Sequence, residues 1–280
     1  MGSTRPEQLS INTATLWESC TLRQAAEAIA RHGIRGIAPW RNRVAEVGAK
    51  ESGRIIRDHG LTVTGLCRGG MLPAPDREGR RAAIEDNLRA IDEAVEIGAR
   101  CLVIVAGGLA AGSKDVAAAR DMIRDGLAAI MEHARACAMP IAIEPMHPMY
   151  CADRGCINTL RHALDLCDEL DAAAGGALGV IVDVYHVWWD PELRAQIERA
   201  GEKRLHGFHI CDWLVPTRDL LQDRGMMGDG VIDIALIRSW MEAAGYRGMH
   251  EVEIFSRDNW WKRAPDEVLA ACRERHTAVC

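Results

Sequence analysis

The chain predicts a single (β/α)8 barrel domain spanning residues 1–280, and three observations carry that prediction. Eight short β-rich apolar runs alternate with longer segments of helical periodicity, the pattern of parallel strands ringed by helices. Gly and Pro punctuate the junctions. The polar residues able to do chemistry fall at the C-terminal ends of the late strands, where a barrel of this kind places its active site. A doubly wound open sheet is the rival, but it seldom needs eight strands in so even an alternation. No linker, low-complexity tract or charge block marks a second domain.

In order along the chain, strands are expected at about 8–12, 35–39, 61–67, 101–106, 140–144, 179–183, 205–211 and 249–254. Each is a short run built on aliphatic residues. Amphipathic helices are expected at 21–32, 82–98, 115–138, 157–170 and 233–244. A closing helix, 265–277, follows the eighth strand with Pro265 in its first turn, where the missing N–H does no harm.

Composition excludes several classes. At 48% hydrophobic and 26% charged, the chain is an ordinary globular sequence and not a disordered one. No uncharged apolar run reaches the roughly 20 residues needed to span a bilayer. The N-terminal stretch has no apolar core of a secretory signal. Net charge is −6 and the arginines are scattered, so no basic patch offers itself to nucleic acid. The ten cysteines include no C-x-x-C pair and read as reduced thiols of a cytoplasmic protein.

The chemistry concentrates on strands five to eight. They carry Glu144, Asp183, His209 and Glu253. Side chains alternate along a strand. With Ile141, Ile143, Phe208, Ile210, Val252 and Ile254 facing the helices, all four residues face the barrel axis, as does Glu251 one layer deeper. A lone acidic residue at a strand end is often a helix cap or an ion-pair partner. Three carboxylates brought together repel unless something neutralises them. A divalent cation does so, and mixed oxygen and nitrogen ligands suit Mn²⁺, Mg²⁺, Co²⁺ or Zn²⁺, with Mn²⁺ the expected ion.

At these residues the sequence resembles the sugar isomerase/epimerase superfamily with the xylose-isomerase-like TIM barrel. The matching pieces are IAIEP at 141–145, DVYH at 183–186, HICD at 209–212, GDGVID at 228–233 and GYRGMHEVE at 245–253. The resemblance implies one divalent ion held by Glu144, Asp183, His209 and Glu253, the last chosen over Glu251 by its distance from the GYRG turn. It implies that His186 touches substrate oxygens. It also implies that Glu144 and Glu253 bracket a reacting carbon, one taking a proton α to a carbonyl and the other returning it. The chain departs from many relatives in having His147 three residues after the strand-five Glu. Val215 stands where some relatives have a substrate-binding Arg, and Arg218 and Arg224 are the nearby candidates for that contact.

The expected activity is therefore a metal-dependent isomerase or epimerase acting on a keto- or aldo-sugar or polyol. The alternative is a lyase on a keto-sugar, inosose or ketoglycoside, which needs the same ion and base; His147 or Tyr150 could then protonate the leaving group. Other barrel chemistries fit less well. None of the four lysines lies on an expected strand, against a Schiff-base aldolase. The fourth strand ends in AGG, against a paired-carboxylate glycosidase, and strands two to four lack the extra histidines of a multi-zinc nuclease.

Seven of the eight tryptophans fall just after expected strands: Trp17, Trp40, Trp188, Trp189, Trp213, Trp260 and Trp261. Aromatic faces at a barrel mouth pack on sugar rings, or they brace loops or an oligomer interface. Trp17, Trp40, Trp213 and Arg68 are the candidates for substrate contact, and a homo-oligomer is left open.

Overall fold

The computed structural model describes residues 6–17, 19–172 and 175–280; the first five residues of the N-terminal stretch lie outside this set. The strands in chain order are β1 (Leu9–Asn12), β2 (Gly36–Ala38), β3 (Thr62–Val63), β4 (Leu66–Gly70), β5 (Leu102–Val105) and β6 (Ile141–Ile143). They continue as β7 (Leu178–Asp183), β8 (Leu205–Ile210), β9 (Asp212–Trp213), β10 (Arg224–Gly225) and β11 (His250–Val252). Nine of them form one sheet in the order β3-β2-β1-β11-β8-β7-β6-β5-β4, and its pairings are parallel. β9 and β10 make a separate antiparallel ribbon.

The third expected strand, 61–67, is two strands. β3 pairs with β2 and β4 with β5, so the split sits where the two edges of the sheet meet. Thr64 N–H still donates to Ile37 O at 3.0 Å and Cys67 N–H to Pro39 O at 3.0 Å, which stitches the edges into a nearly closed barrel. Thr64 turns its hydroxyl onto Glu251 Oε2 at 2.7 Å, and a Cβ on Gly65 would stand 3.3 Å from Val103 Cγ2. The break thus lies at an inward polar contact beside a residue kept small.

Strand parity divides the core. Cys67, Cys101, Val103, Ala142 and Ile181 pack together inside the barrel against Trp40. Ile141, Ile143, Val180, Val182, Phe208, Ile210, Val252 and Ile254 belong to the larger layer under the helices. Most of the long helices begin at a side-chain cap. Leu22–Arg31 starts at Thr21, which forms a capping box with Gln24. Arg77–Ile97, Val116–Ala136, Leu160–Leu170 and Ile234–Ala243 start at Asp76, Asp115, Thr159 and Asp233. Arg77–Ile97 begins five residues before the expected 82, because its charged first turn has no apolar periodicity and only the cap marks it. Helices Ala49–Asp58, Leu193–Arg204 and the expected closing helix Pro265–Val279 complete the ring; the first two were not among the helices read from the sequence. No helix among the described residues is long and apolar enough to cross a membrane. All ten cysteines are free thiols.

Candidate active site

The strands deliver four ionisable side chains to one point. Glu144 follows β6 directly, and its N–H extends the ladder to Ile104 O at 3.0 Å. Glu253 follows β11, its N–H bonded to Ile210 O at 3.2 Å. Asp183 ends β7 and caps the short helix Val184–Val187, with Oδ1 accepting from Tyr185 N–H at 2.8 Å. His209 lies on β8, in register with Asp183 of β7 and Glu251 of β11. All four are buried, and one donor atom from each lies within 4.8 Å of the others.

The contacts within this group fit a cation. Glu144 Oε1 and His209 Nδ1 are 3.0 Å apart. Neither atom satisfies the geometry of a hydrogen bond to any partner among the described residues. Two buried polar atoms without a hydrogen bond, ringed by further carboxylates, fit a site that a divalent cation would satisfy by displacing the imidazole proton. Burial pushes the Glu253 carboxyl up to about 8, against the Arg224 guanidinium that favours its ionised form. Burial also disfavours a charged His209, but Glu251, Glu144 and Glu253 outweigh it and lift the imidazole to about 10. Without a cation the cluster therefore holds protons.

Glu251 takes another part. Its Oε1 accepts from Asn12 Nδ2 at 2.8 Å and its Oε2 from Thr64 Oγ1 at 2.7 Å. The same Oε1 stands 3.3 Å from His209 Nε2. It thus steadies the far side of the imidazole and leaves Nδ1 aimed at Glu144, the arrangement that orients metal-binding histidines. Asn12 also donates to Glu253 Oε1 at 3.0 Å and accepts from Trp40 Nε1 at 2.9 Å. Asn12 and Thr64 were missed in the sequence. The inward parity of Asn12 on the first strand was a usable signal; Thr64, at the strand break, had none.

Of the two candidate arginines, Arg224 enters the site and Arg218 does not. Arg224 is 2% exposed, and its Nη1 donates to Asp183 Oδ2 at 3.1 Å and Glu253 Oε2 at 3.2 Å. Its guanidinium lies over Tyr185 at 4.4 Å and Phe255 at 5.1 Å. Arg218 is largely exposed and turns to Asp223. His186 is buried, with Nε2 3.1 Å from Arg224 Nη2 and Nδ1 without a partner among the described residues. Burial and then the Arg224 charge hold it well below the usual histidine range, so it is neutral. His147 is half-buried, its ring 4.9 Å from Trp213, and its Nδ1 accepts from Met149 N–H. The Tyr150 hydroxyl is engaged: it donates to Leu220 O, as Tyr185 does at 2.8 Å, and burial pushes Tyr150 up to about 12.

The aromatic residues form two groups at this end of the barrel. Trp213 packs with Tyr185 and Trp188, and Trp17 with Trp40, Phe255 and Trp261. Trp261 is a brace, its Nε1 held by Ala14 O at 2.8 Å and Ile254 O at 3.2 Å. Arg68, Trp17 and Trp40 line a depression whose walls include none of the four clustered residues but which adjoins them through the Trp40–Asn12 hydrogen bond. A second convergence of donors, Asp92, His133 and Cys137, sits on the outer helices and is partly exposed.

A family model described as xylose isomerase-like TIM barrel matches residues 26–274. A crystal structure of a protein from Sinorhizobium meliloti 1021 is 59% identical over 99% of this chain and 99% of that one, with a TM-score of 0.95. IolI with a bound zinc atom is 18% identical over 97% of each chain, TM-score 0.82. The 3-keto-D-glucoside 4-epimerase YcjR from E. coli is 19% identical over 95% of this chain and 99% of that one, TM-score 0.75. The last two likenesses are ones of fold. No curated protein matches the sequence.

Proposed function

Because the chain belongs to the xylose isomerase-like TIM barrel family, we propose that it is a divalent-metal-dependent sugar isomerase or epimerase. It would move a proton α to the carbonyl of a keto- or aldo-sugar or of a keto-polyol. The observation that carries this reading is the buried convergence of Glu144, Asp183, His209 and Glu253, with facing donor atoms left unbonded. A structural neighbour named as a 3-keto-D-glucoside 4-epimerase supports it, and the neighbour with bound zinc supports a divalent ion.

The four residues would hold one ion, and three carboxylates with one imidazole suit Mn²⁺. When bound, the ion polarises a carbonyl and stabilises the negative charge that grows on its oxygen. The chain's own groups do the rest. Glu144 and Glu253 stand on strands separated by β7 and β8, so they can address a planar carbon from two sides. One takes the proton and the other returns it. Arg224, always cationic, donates to a substrate oxygen, and His186 meets a hydroxyl with its unpartnered Nδ1. Tyr150 and Tyr185 pin the Leu220 carbonyl, which holds the loop after β9 as a wall against water. Ten free thiols fit a reducing, cytoplasmic setting.

Incubating the metal-loaded protein with keto-sugars in D₂O, read by NMR, tests the reading. Solvent deuterium incorporated with the carbon skeleton and composition otherwise retained supports isomerisation. An unsaturated product or a released aglycone identifies a lyase instead. Absence of exchange, together with purified protein that takes up no divalent ion, overturns both.

A further inference from the structure

We propose that the depression lined by Trp17, Trp40 and Arg68 is a second-ring subsite, so that the substrate is a glycoside carrying two rings and not a free monosaccharide. This rests on the reading above of the carboxylate cluster as the place where the first ring reacts.

The depression has a volume of about 460 Å³, enough for a ring substituent. Two connections, both through Trp40, tie it to the cluster. Trp40 Nε1 donates to Asn12, the residue that also holds Glu253 and Glu251. An aromatic path runs in parallel: the Arg224 guanidinium lies 5.1 Å from the Phe255 ring, Phe255 lies 5.6 Å from Trp40, and Trp40 lies 5.4 Å from Trp17. The depression is lined by Trp17, Trp40 and Arg68 and by none of Glu144, Asp183, His209 or Glu253, so a single ring reacting at those four residues would leave it uncovered.

The walls are those of a ligand site and not of a braced loop. Trp260 and Trp261 are 7% exposed, whereas Trp17 and Trp40 are only half-buried and both border the depression. The floor is backbone. A Cβ on Gly69 would stand 2.7 Å from Asn87 Oδ1, and one on Gly70, at φ +106°, would stand 1.9 Å from Val105 O. Those contacts lie beneath the depression, so close packing on the protein side keeps both positions glycine and the floor backbone. The two arginines at the rim differ. Arg41 is committed to Asp86 at 2.8 Å and Glu93 at 2.7 Å. Arg68 makes no hydrogen bond or ion pair among the described residues, so its guanidinium is free to donate to ring or hydroxyl oxygens. Aromatic faces plus one uncommitted donor fork match the mixed apolar and hydroxylated surface of a sugar or aryl aglycone.

The test compares methyl β-D-glucopyranoside with phenyl β-D-glucopyranoside, titrated calorimetrically into the metal-loaded protein. Neither is turned over, so the measurement does not depend on proton transfer, and the D₂O exchange can fail while this result stands, or the reverse. The phenyl glucoside should bind about ten-fold more tightly, the worth of one added aromatic contact. Arg68→Ala and Trp17→Leu should each bring the ratio of the two affinities towards one. Arg68 has no partner to lose, so its replacement keeps the test valid if the tryptophan variant misfolds. Equal affinities, a ratio untouched by either substitution, or no binding of either glucoside would each overturn the proposal.

Discussion

Glu144 and Glu253 would ligate an ion and also exchange a proton, whereas Asp183 only ligates, and substitution to the amide separates the two tasks. An amide oxygen still coordinates but cannot accept a proton. At least one of Glu144→Gln and Glu253→Gln should therefore stay slowed by about 10²–10⁴-fold at saturating metal. Asp183→Asn should be at least partly rescued by the same excess. Full rescue of both glutamate variants would shift the base to another group, with His147 and His186 the next residues to test. Glu251 makes a different prediction. Its carboxylate stands 3.3 Å from His209 Nε2 and is held by Asn12 and Thr64. Glu251→Ala should weaken metal binding by about 10–100-fold, seen calorimetrically, with the ion stoichiometry unchanged. A loss of the ion altogether would make Glu251 a ligand in its own right.

Among the elements, the caps carry stability that the apolar pattern does not show. Asp76 accepts from Gly79 N–H at 2.7 Å and starts the helix Arg77–Ile97, whose first turn is charged. Asp76→Ala should cost about 1 kcal/mol, read as a lowered denaturant midpoint at unchanged slope. Strands five to eight were legible because parity sets Ile141, Ile143, Val180, Val182, Phe208, Ile210 and Val252 under the helices, and the same parity turns Glu144, Asp183, His209 and Glu253 inward, Asp183 beside the apolar Ile181. The third strand misled because β propensity runs unbroken through Thr64 and Gly65, while the break answers to closure of the sheet, a long-range demand. The choice between Arg218 and Arg224 was undecidable for a similar reason. Both lie in the segment after β8, and only the β9–β10 ribbon, with Arg224 opposite Trp213, swings one of them over the carboxylates.

Across the whole molecule, the closing helix Pro265–Val279 is tied to the barrel by a buried histidine pair. His250 of β11 and His276 approach through Nδ1 and Nε2 at 2.9 Å. Burial, then the neighbouring His276 and Arg238, hold His250 down to about 3; burial and then Arg238 hold His276 down to about 4. Both are therefore neutral when folded, and their ordinary value near 6.5 returns on unfolding. Stability from the pair is complete above about pH 6.5. It is lost as pH falls from there towards 4, at up to about 1.4 kcal/mol per histidine per pH unit. His276→Gln should flatten that acid limb in denaturation curves recorded between pH 7 and 5; an unchanged limb would place the acid sensitivity in other groups. The lopsided placement of the tryptophans has a further consequence. Seven of the eight follow strands at the mouth, and Trp240 alone rides on an outer helix, so the indole emission of this protein is a report from one end of the barrel. Titrated with paramagnetic Mn²⁺, the native fluorescence should dim far more than with Mg²⁺. Trp240→Phe should leave that quenching almost intact, which makes the protein its own optical gauge of metal occupancy.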